Sequence, residues 1–164
     1  MILALQTTTF SAHGGIPSYN RLVCRALNEI DGTGTTIEKK VLIAADCEAD
    51  LAVPRDELTG LTIEVFGGNR LRFTARAFAI ALRHRIDVLL IGHANYAPIG
   101  LLLRCLRPGL KYGVIAYGID AWSQLSVLKR RALQRADFVA SISEYTKAKL
   151  VEVQGVAPER VHVL

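Results

Sequence analysis

Short apolar segments alternate with helical periodicities along the whole sequence, and this alternation restricts the fold more than any other feature. Residues 2–6, 40–45 and 86–93 are apolar runs of the type found in buried strands. Segments whose apolar residues recur with helical spacing separate most of these runs. Strands that alternate with helices pair in parallel, because each helix returns the chain along the sheet. We therefore predict an α/β fold, a doubly wound parallel sheet with helices on both faces in three layers.

Residues 1–30 predict the first unit of such a fold, a strand, a glycine turn and an amphipathic helix, in Rossmann-like order. The apolar face of the helix is predicted to consist of Tyr19, Leu22, Val23, Ala26, Leu27 and Ile30. Gly14 and Gly15 stand before the helix, where a backbone without Cβ atoms lets a ligand approach and the helix N-terminus suits an anion. A plain tight turn explains the glycine pair equally well.

Four later segments predict further helices, and one of these starts at Asn95 or Ala97 and runs through Leu106. A second helix is predicted to be capped by Asn69 and to run to about residue 85, and a third to be capped by Ser143 and to cover residues 144–153. The apolar face of the helix capped by Asn69 is predicted to consist of Leu71, Ala75, Phe78, Ala79 and Leu82. The fourth helix is predicted to be continuous over residues 121–135.

The net charge of +5 favours an anionic partner. Arg72, Arg76 and Arg83 share one face of a predicted helix, which suggests weak, salt-sensitive contact with an anionic membrane. A solvated helix face is the alternative explanation. No aromatic residues are interleaved with the basic ones to offer a stacking surface, so nucleic acid is not expected as a partner.

The length of 164 residues suffices for one domain with its own core, so residues 1–164 are predicted to form a single domain. No run approaches the roughly 18 consecutive apolar residues of a membrane span, and the sequence begins directly as a strand without a leader pattern. We expect a cytoplasmic protein in peripheral contact with the inner face of the membrane.

Cys24, Cys47 and Cys105 are too far apart for a zinc pattern, and no metal is expected.

Ligands of doubly wound sheets bind beyond the carboxyl ends of the strands. The candidate residues at this edge are Gly14, Gly15, His93, Tyr117, Gly118, Asp120 and Ser143. His93 directly follows the clearest strand, where an imidazole can transfer a proton or merely satisfy backbone groups. Asp120 and Ser143 are also explained as caps of the helices that follow them. No nucleophile–base pair or carboxylate pair can be composed from these residues, so they offer half of an active site.

Asp46 follows the second predicted strand, the position of an acidic residue that binds ribose in dinucleotide sites. Such sites also require a GxGxxG pattern directly after the first strand, because its glycines admit the pyrophosphate. The sequence lacks this pattern. A nicotinamide-dependent dehydrogenase is therefore disfavoured.

Several of these segments, in their order and spacing, resemble the N-terminal domain of family 4 retaining glycosyltransferases. The segments that carry the resemblance are residues 14–16, 92–95, 117–122, 135–137, 143–147 and 156–164. The resemblance covers the whole chain, and the last segment looks like the one that precedes the interdomain linker in that family. It implies a GT-B architecture of two Rossmann-like domains, of which this chain is the acceptor-side one and the C-terminal donor-binding domain is absent.

The resemblance also implies roles for single residues. Gly14, Gly15 and Ile16 match the loop that approaches the donor diphosphate, and the catalytic positions match His93 and Asp120. Acceptor-binding positions match Asn95, Tyr117, Gly118 and Ser143. Many relatives carry histidine where this chain has Tyr117, which leaves the role of that position open. Enzymes of this family generally need no metal, since backbone amides and basic side chains neutralise the leaving diphosphate.

The function implied by the resemblance is transfer of a hexose from a nucleotide sugar to a sugar or lipid-linked acceptor, with retention. The complete enzyme is expected to serve cell-envelope polysaccharide or glycolipid biosynthesis, and this chain alone is expected to be inactive. The alternative is a non-catalytic Rossmann-like module that binds a phosphorylated ligand or a protein partner.

Overall fold

The structure is a computed structural model and describes residues 1–30, 37–51 and 58–164. Within these residues, seven strands pair in parallel and have helices between them in the sequence, so the predicted α/β Rossmann-like fold is confirmed. The chain divides into two compact units, Met1–Asp87 and Val88–Leu164.

The described part of the first unit contains three strands in the order β3-β2-β1. Its elements are β1 Ile2–Gln6, α1 Gly15–Glu29, β2 Lys39–Ile43, a 3₁₀ turn Glu48–Leu51, β3 Thr62–Val65 and α2 Arg70–Arg83. The pairing is parallel, with Ala4 beside Val41 and Val41 beside Ile63. Leu3, Ala4 and Leu5 are all buried although successive strand residues point to opposite faces. Both faces of β1 are therefore covered, as expected for a parallel strand.

The second unit contains four strands in the order β4-β5-β6-β7, all paired in parallel. Its strands are β4 Val88–Ile91, β5 Lys111–Ala116, β6 Phe138–Ser141 and β7 Val161–Val163. Its helices are α3 Ala97–Leu106, α4 Ile119–Trp122, α5 Val127–Gln134 and α6 Glu144–Glu152, with 3₁₀ turns at Ala94–Tyr96 and Pro158–Arg160. Parallel pairing brings the carboxyl ends of β4, β5 and β6 to one edge. His93, Tyr117 and Ser143 follow these three ends.

The predicted apolar face of α1 is wrong except at Leu27, which is buried. The buried residues of the helix are Pro17, Asn20, Cys24 and Leu27, whereas Leu22 and Ile30 are exposed. The helix is rotated because Asn20, a polar residue, has hydrogen-bonding partners on the inner side: its Nδ2 donates to Thr8 O at 2.7 Å. Buried polar groups that find partners cost little, so this contact competes with the burial of Leu22.

The predicted apolar face of α2 is also wrong. The buried residues are Phe73, Ala77, Ile80 and Ala81, and Leu71 is 80% exposed. Phe73 makes an edge-to-face contact with Phe66, at 5.5 Å between ring centroids. This aromatic contact is worth about 0.5–1.5 kcal/mol beyond the burial of the ring, so it favours the side of the helix that carries Phe73.

The helix predicted over residues 121–135 is divided into α4 and α5. The side chain of Gln154 lies at the break, where its Nε2 donates to Ala121 O and Ser123 O, both at 2.7 Å, and its Oε1 accepts from Leu125 N at 3.3 Å. These backbone groups would be unpaired at an interruption of the helix. Because the buried Gln154 amide satisfies them, the chain can turn between the two helices at little cost.

Gly100 lets α3 lie close to the strands that precede His93 and Tyr117. A Cβ atom added there would stand 2.7 Å from Ile91 Cδ1 and 2.7 Å from Tyr112 Cδ2. Tyr112 cannot easily yield, since its hydroxyl donates to Ala132 O at 2.6 Å and Arg104 covers its ring.

We expect Gly100→Ala to lower the free energy of unfolding by about 1–3 kcal/mol, because the overlap outweighs a gain of about 1 kcal/mol in helix propensity. Gly109→Ala is the matched control, since a Cβ at Gly109 meets nothing within 4 Å. Urea unfolding followed by tryptophan fluorescence measures both variants. A Gly100→Ala protein as stable as Gly109→Ala would contradict the close packing of α3.

Candidate functional site

Asp46 organises the loop between β1 and α1 in the first unit. Its side chain is 0% exposed, and it accepts all of its hydrogen bonds from four consecutive loop residues. The donors are Thr8 Oγ1 at 3.0 Å, Thr9 N at 3.1 Å, Phe10 N at 2.6 Å and Ser11 Oγ at 2.7 Å. Hydrogen bonds to a carboxylate are stronger than neutral ones. Asp46 is thus committed to the loop, which agrees with the sequence argument against a ribose-binding role.

Gln6, Asn20 and Arg21 hold the same loop from its other side. Gln6 Oε1 accepts from Thr9 Oγ1 at 2.7 Å, and Gln6 Nε2 donates to Asn20 O at 3.1 Å. Arg21 Nη1 donates to Thr9 O at 2.7 Å, while Asn20 Nδ2 donates to Thr8 O. Loops usually satisfy their backbone groups with water. This one is fixed by protein groups and so enters α1 in one defined conformation.

Gly14 and Gly15 lie at the N-terminus of α1, as the sequence predicts. Gly14 is the N-cap residue with φ +139°, a conformation that L side chains rarely adopt, and it provides no side-chain cap. Gly15 is exposed, and a Cβ there would meet nothing within 4 Å. The backbone of Gly15, at the start of α1, is therefore open to solvent, an arrangement suited to an anion. The diphosphate role of Gly14, Gly15 and Ile16 stays a prediction.

His93 and Asp120 are brought together in the second unit. His93 Nδ1 lies 3.8 Å from Asp120 Oδ2 and accepts a hydrogen bond from Asn95 N at 3.1 Å. Because Nδ1 is an acceptor, the neutral imidazole carries its proton on Nε2, where it can donate to a ligand. Asp120 Oδ1 accepts from Tyr117 N at 3.1 Å, whereas Oδ2 is buried without a hydrogen-bond partner among the described residues.

The surroundings of His93 keep its imidazole neutral. The side chain is 11% exposed, and this burial lowers the pKa of His93 below its usual 6.5. Asp120 opposes this shift of the pKa and Lys129 reinforces it. A proton taken up at Nδ1 would face the unpaired Asp120 Oδ2. The Asn95 amide therefore holds the neutral imidazole in the tautomer that donates from Nε2, and Asp120 can stabilise the charged form. These are the two properties of an acid–base residue.

The other predicted residues of the second unit are placed as follows. Asn95 is exposed, and its Oδ1 accepts from Lys129 Nζ at 2.7 Å. Gly118 has φ +124°, and Tyr117 is buried with its amide bonded to Asp120. Ser143 caps α6, since its Oγ accepts from Thr146 N at 3.1 Å, which confirms the cap that the sequence predicts.

Lys129 is a site residue that the sequence argument did not identify. It belongs to a basic run, residues 129–131, whose helix was predicted but whose position beside Asn95 was not. Lys129 connects α5 to the turn after β4, residues far apart in sequence. Only evidence that these two segments are in contact could have identified Lys129 as a site residue.

The predicted basic face of α2 is partly neutralised. Arg76 Nε and Nη2 donate to Glu64 Oε2 and Oε1 at 2.7 and 2.6 Å. These hydrogen bonds from Arg76 lower the pKa of Glu64, so the carboxylate stays charged. Arg72 and Arg83 remain exposed.

In the part of the chain that the structure describes, no helix is long and apolar enough to cross a bilayer. The same residues contain no cluster of three or more His, Cys, Asp or Glu that could hold a metal ion.

A family model described as "Glycosyl transferase 4-like domain" matches residues 14–164. The chain is similar to the crystal structure of Anabaena HepE in complex with UDP, at 14% identity and a TM-score of 0.62. It is also similar to HepE in complex with UDP-glucose, at 15% identity and a TM-score of 0.63. Each comparison covers 99% of this chain and 43% of the HepE chain, so the chain spans less than half the length of HepE. No match is found among curated proteins.

Replacing Asp46 by Asn should loosen the loop, because an amide presents N–H groups to donors that now face a carboxylate. We expect Asp46→Asn to cost about 1–3 kcal/mol of stability and to accelerate amide hydrogen exchange at Thr9 and Phe10. Asp50→Asn is the control, since Asp50 is half-buried and accepts from Cys47, outside this loop. Unchanged exchange at Thr9 and Phe10 in Asp46→Asn would refute the role of Asp46.

The buried imidazole makes stability depend on pH. The pKa of His93 is lowered in the folded chain, whereas in the unfolded chain the pKa stays near 6.5, so below that pH the unfolded chain binds more protons. Stability should therefore fall as the pH drops below about 6.5, and His93→Gln should show a smaller fall. Urea unfolding at about pH 7.5 and 5.5 tests this. An equal fall in both proteins would contradict a buried neutral His93, and His162→Gln controls for loss of an exposed imidazole.

Proposed function

The chain belongs to the glycosyl transferase 4-like domain family, and from this membership we propose that it is the N-terminal, acceptor-side domain of a two-domain glycosyltransferase of GT-B architecture. The complete enzyme transfers a hexosyl group from a nucleotide sugar to an acceptor with retention of configuration. A separate C-terminal domain holds most of the nucleotide sugar, so the 164-residue chain alone is inactive. Complexes of HepE with UDP and UDP-glucose support a nucleotide-sugar donor.

The observation that carries the proposal is the pairing of buried, neutral His93 with Asp120 after the ends of β4 and β5. Ligands of open parallel sheets bind at this edge. A histidine whose Nε2 donates while a carboxylate stands 3.8 Å from Nδ1 can orient a hydroxyl of the sugar and stabilise charge that develops during transfer. We assign His93 as the catalytic residue and Asp120 as its partner.

In this proposal, the glycine turn binds the nucleotide-sugar donor. Gly14, Gly15 and Ile16 approach the diphosphate, whose negative charge is stabilised by the exposed backbone at the N-terminus of α1. Backbone amides and basic side chains then neutralise the leaving group, and transfer proceeds without a metal ion. Asn95, Tyr117, Gly118 and Ser143 contact the acceptor.

The acceptor in this proposal is a sugar or a lipid-linked sugar of a cell-envelope polysaccharide or glycolipid. The exposed Arg72 and Arg83 then bring the cytoplasmic enzyme to the inner face of the membrane through weak contacts with anionic lipid. Because Arg76 is paired with Glu64, we expect this contact to be weaker than the sequence alone suggested, and sensitive to salt.

The non-catalytic module is the competing proposal, and the exposed N-terminus of α1 would serve it equally well as an anion site. The two are separated by incubating the two-domain protein with a panel of nucleotide sugars and candidate acceptors and analysing the products by mass spectrometry. Formation of a glycosylated acceptor supports the transferase. Binding of nucleotide without any product supports the module.

We expect His93→Ala to lower kcat of the two-domain enzyme by about 10²-fold or more, because the donating imidazole and its charge stabilisation are both lost. His162→Ala, which removes an exposed imidazole of β7, should retain the wild-type kcat. The measurement is steady-state release of the nucleotide from the donor. Equal kcat in the wild type and His93→Ala would exclude a catalytic role for His93.

A further inference from the structure

Two aromatic side chains of the second unit form a surface that the proposed function does not yet use. Trp122, at the end of α4, is 40% exposed, and Tyr145, at the start of α6, is 57% exposed. Their ring centroids are 5.2 Å apart and their planes are perpendicular, at 90°. We call these two rings the aromatic platform. Large exposed aromatic rings are unfavourable in water, so a pair of them at one place suggests a ligand that covers them.

The indole of Trp122 is fixed rather than free to rotate. Its Nε1 donates to Thr146 Oγ1 at 3.2 Å, and Thr146 is itself buried. Thr146 Oγ1 also accepts from Ser143 Oγ at 3.0 Å. Gly118 also lies against the indole, because a Cβ there would stand 3.2 Å from Trp122 Cζ2. The ring therefore loses little conformational entropy when a ligand stacks on it.

Tyr145 is oriented by two contacts of its ring. Its ring meets the indole edge-to-face, and Lys149 Nζ lies 5.5 Å from its centroid. A cation over an aromatic face is attracted by the electrons of the ring. Both rings of the platform thus have their orientation set before any ligand binds.

We propose that the aromatic platform binds a pyranose ring of the acceptor, which stacks its C–H face on Trp122. A pyranose has an apolar face of C–H groups and a rim of hydroxyls, and a rigid amphipathic aromatic ring complements such a shape. The platform is connected to Gly118 and Ser143, two residues predicted to bind the acceptor, through the contacts of Thr146 and Trp122. This inference rests on the proposed function and specifies that the acceptor subsite binds a pyranose ring.

The chain itself provides the reporter for this proposal, because Trp122 is its single tryptophan. The 164-residue chain is titrated with methyl glucoside, methyl galactoside and methyl mannoside, while tryptophan fluorescence and its quenching by acrylamide are recorded. We expect a saturable change with at least one glycoside, with a dissociation constant in the millimolar range, and protection of Trp122 from acrylamide.

Tyr145→Ala retains the fluorophore and removes one ring of the platform. We expect it to weaken glycoside binding by roughly 2- to 10-fold. Leu106→Ala, which shortens an exposed apolar side chain of α3, is the matched control and should bind as the wild type does. Trp122→Phe, followed by NMR titration, should weaken binding through the smaller ring. Equal binding by wild type, Tyr145→Ala and Trp122→Phe would overturn the proposal.

Absence of any fluorescence change with the three glycosides would also overturn it. So would a change produced only by vesicles of anionic phosphatidylglycerol, which would identify the platform as a membrane contact. The readout is binding by this chain, whereas the proposed function is tested by sugar transfer in the two-domain enzyme. A chain that binds no glycoside beside an enzyme that transfers sugar would reject the platform and leave the transferase in place.

Discussion

Burial of parallel strands on both faces is the constraint on which the rest of the structure depends. Leu3, Ala4 and Leu5 are all buried, although their side chains point alternately to opposite faces. Such strands have no room for side chains that bind a ligand. The polar residues that can do so must come after the strands end, as His93 does two residues beyond β4. The candidate site of each unit is a consequence of this arrangement.

A few buried polar side chains hold connecting segments, a loop after β1 and a break between two helices, in defined conformations. Asp46 accepts hydrogen bonds from four residues between β1 and α1, and Gln154 satisfies the backbone at the break between α4 and α5. In each case the polar group lies far in sequence from the segment it holds. Leaving any of these groups unpaired would cost more than the hydrogen bonds contribute, so the loops are effectively fixed. Rigid loops of this kind hold functional groups in place before a ligand arrives.

Part of the candidate site could be predicted because its residues stand next to strong local signals. His93 and Asp120 follow buried strands, and Ser143 precedes a helix with the spacing of an N-cap. Lys129 and Trp122 could not be identified, because their importance comes from Asn95 and Thr146, which belong to other elements. The exposure of Trp122 and its contact with Tyr145 are properties of the folded chain.

The sequence by itself determined the succession of strands and helices, the family and the capped starts of α2 and α6. These features depend on apolar spacing and on residues within one turn of each other, which the chain order contains directly. Only the tertiary structure decided which side of α1 and α2 faces inward and where the helix after Gly118 is interrupted. Those outcomes depend on partners such as Thr8, Phe66 and Gln154, and contacts between distant residues form only when the chain folds.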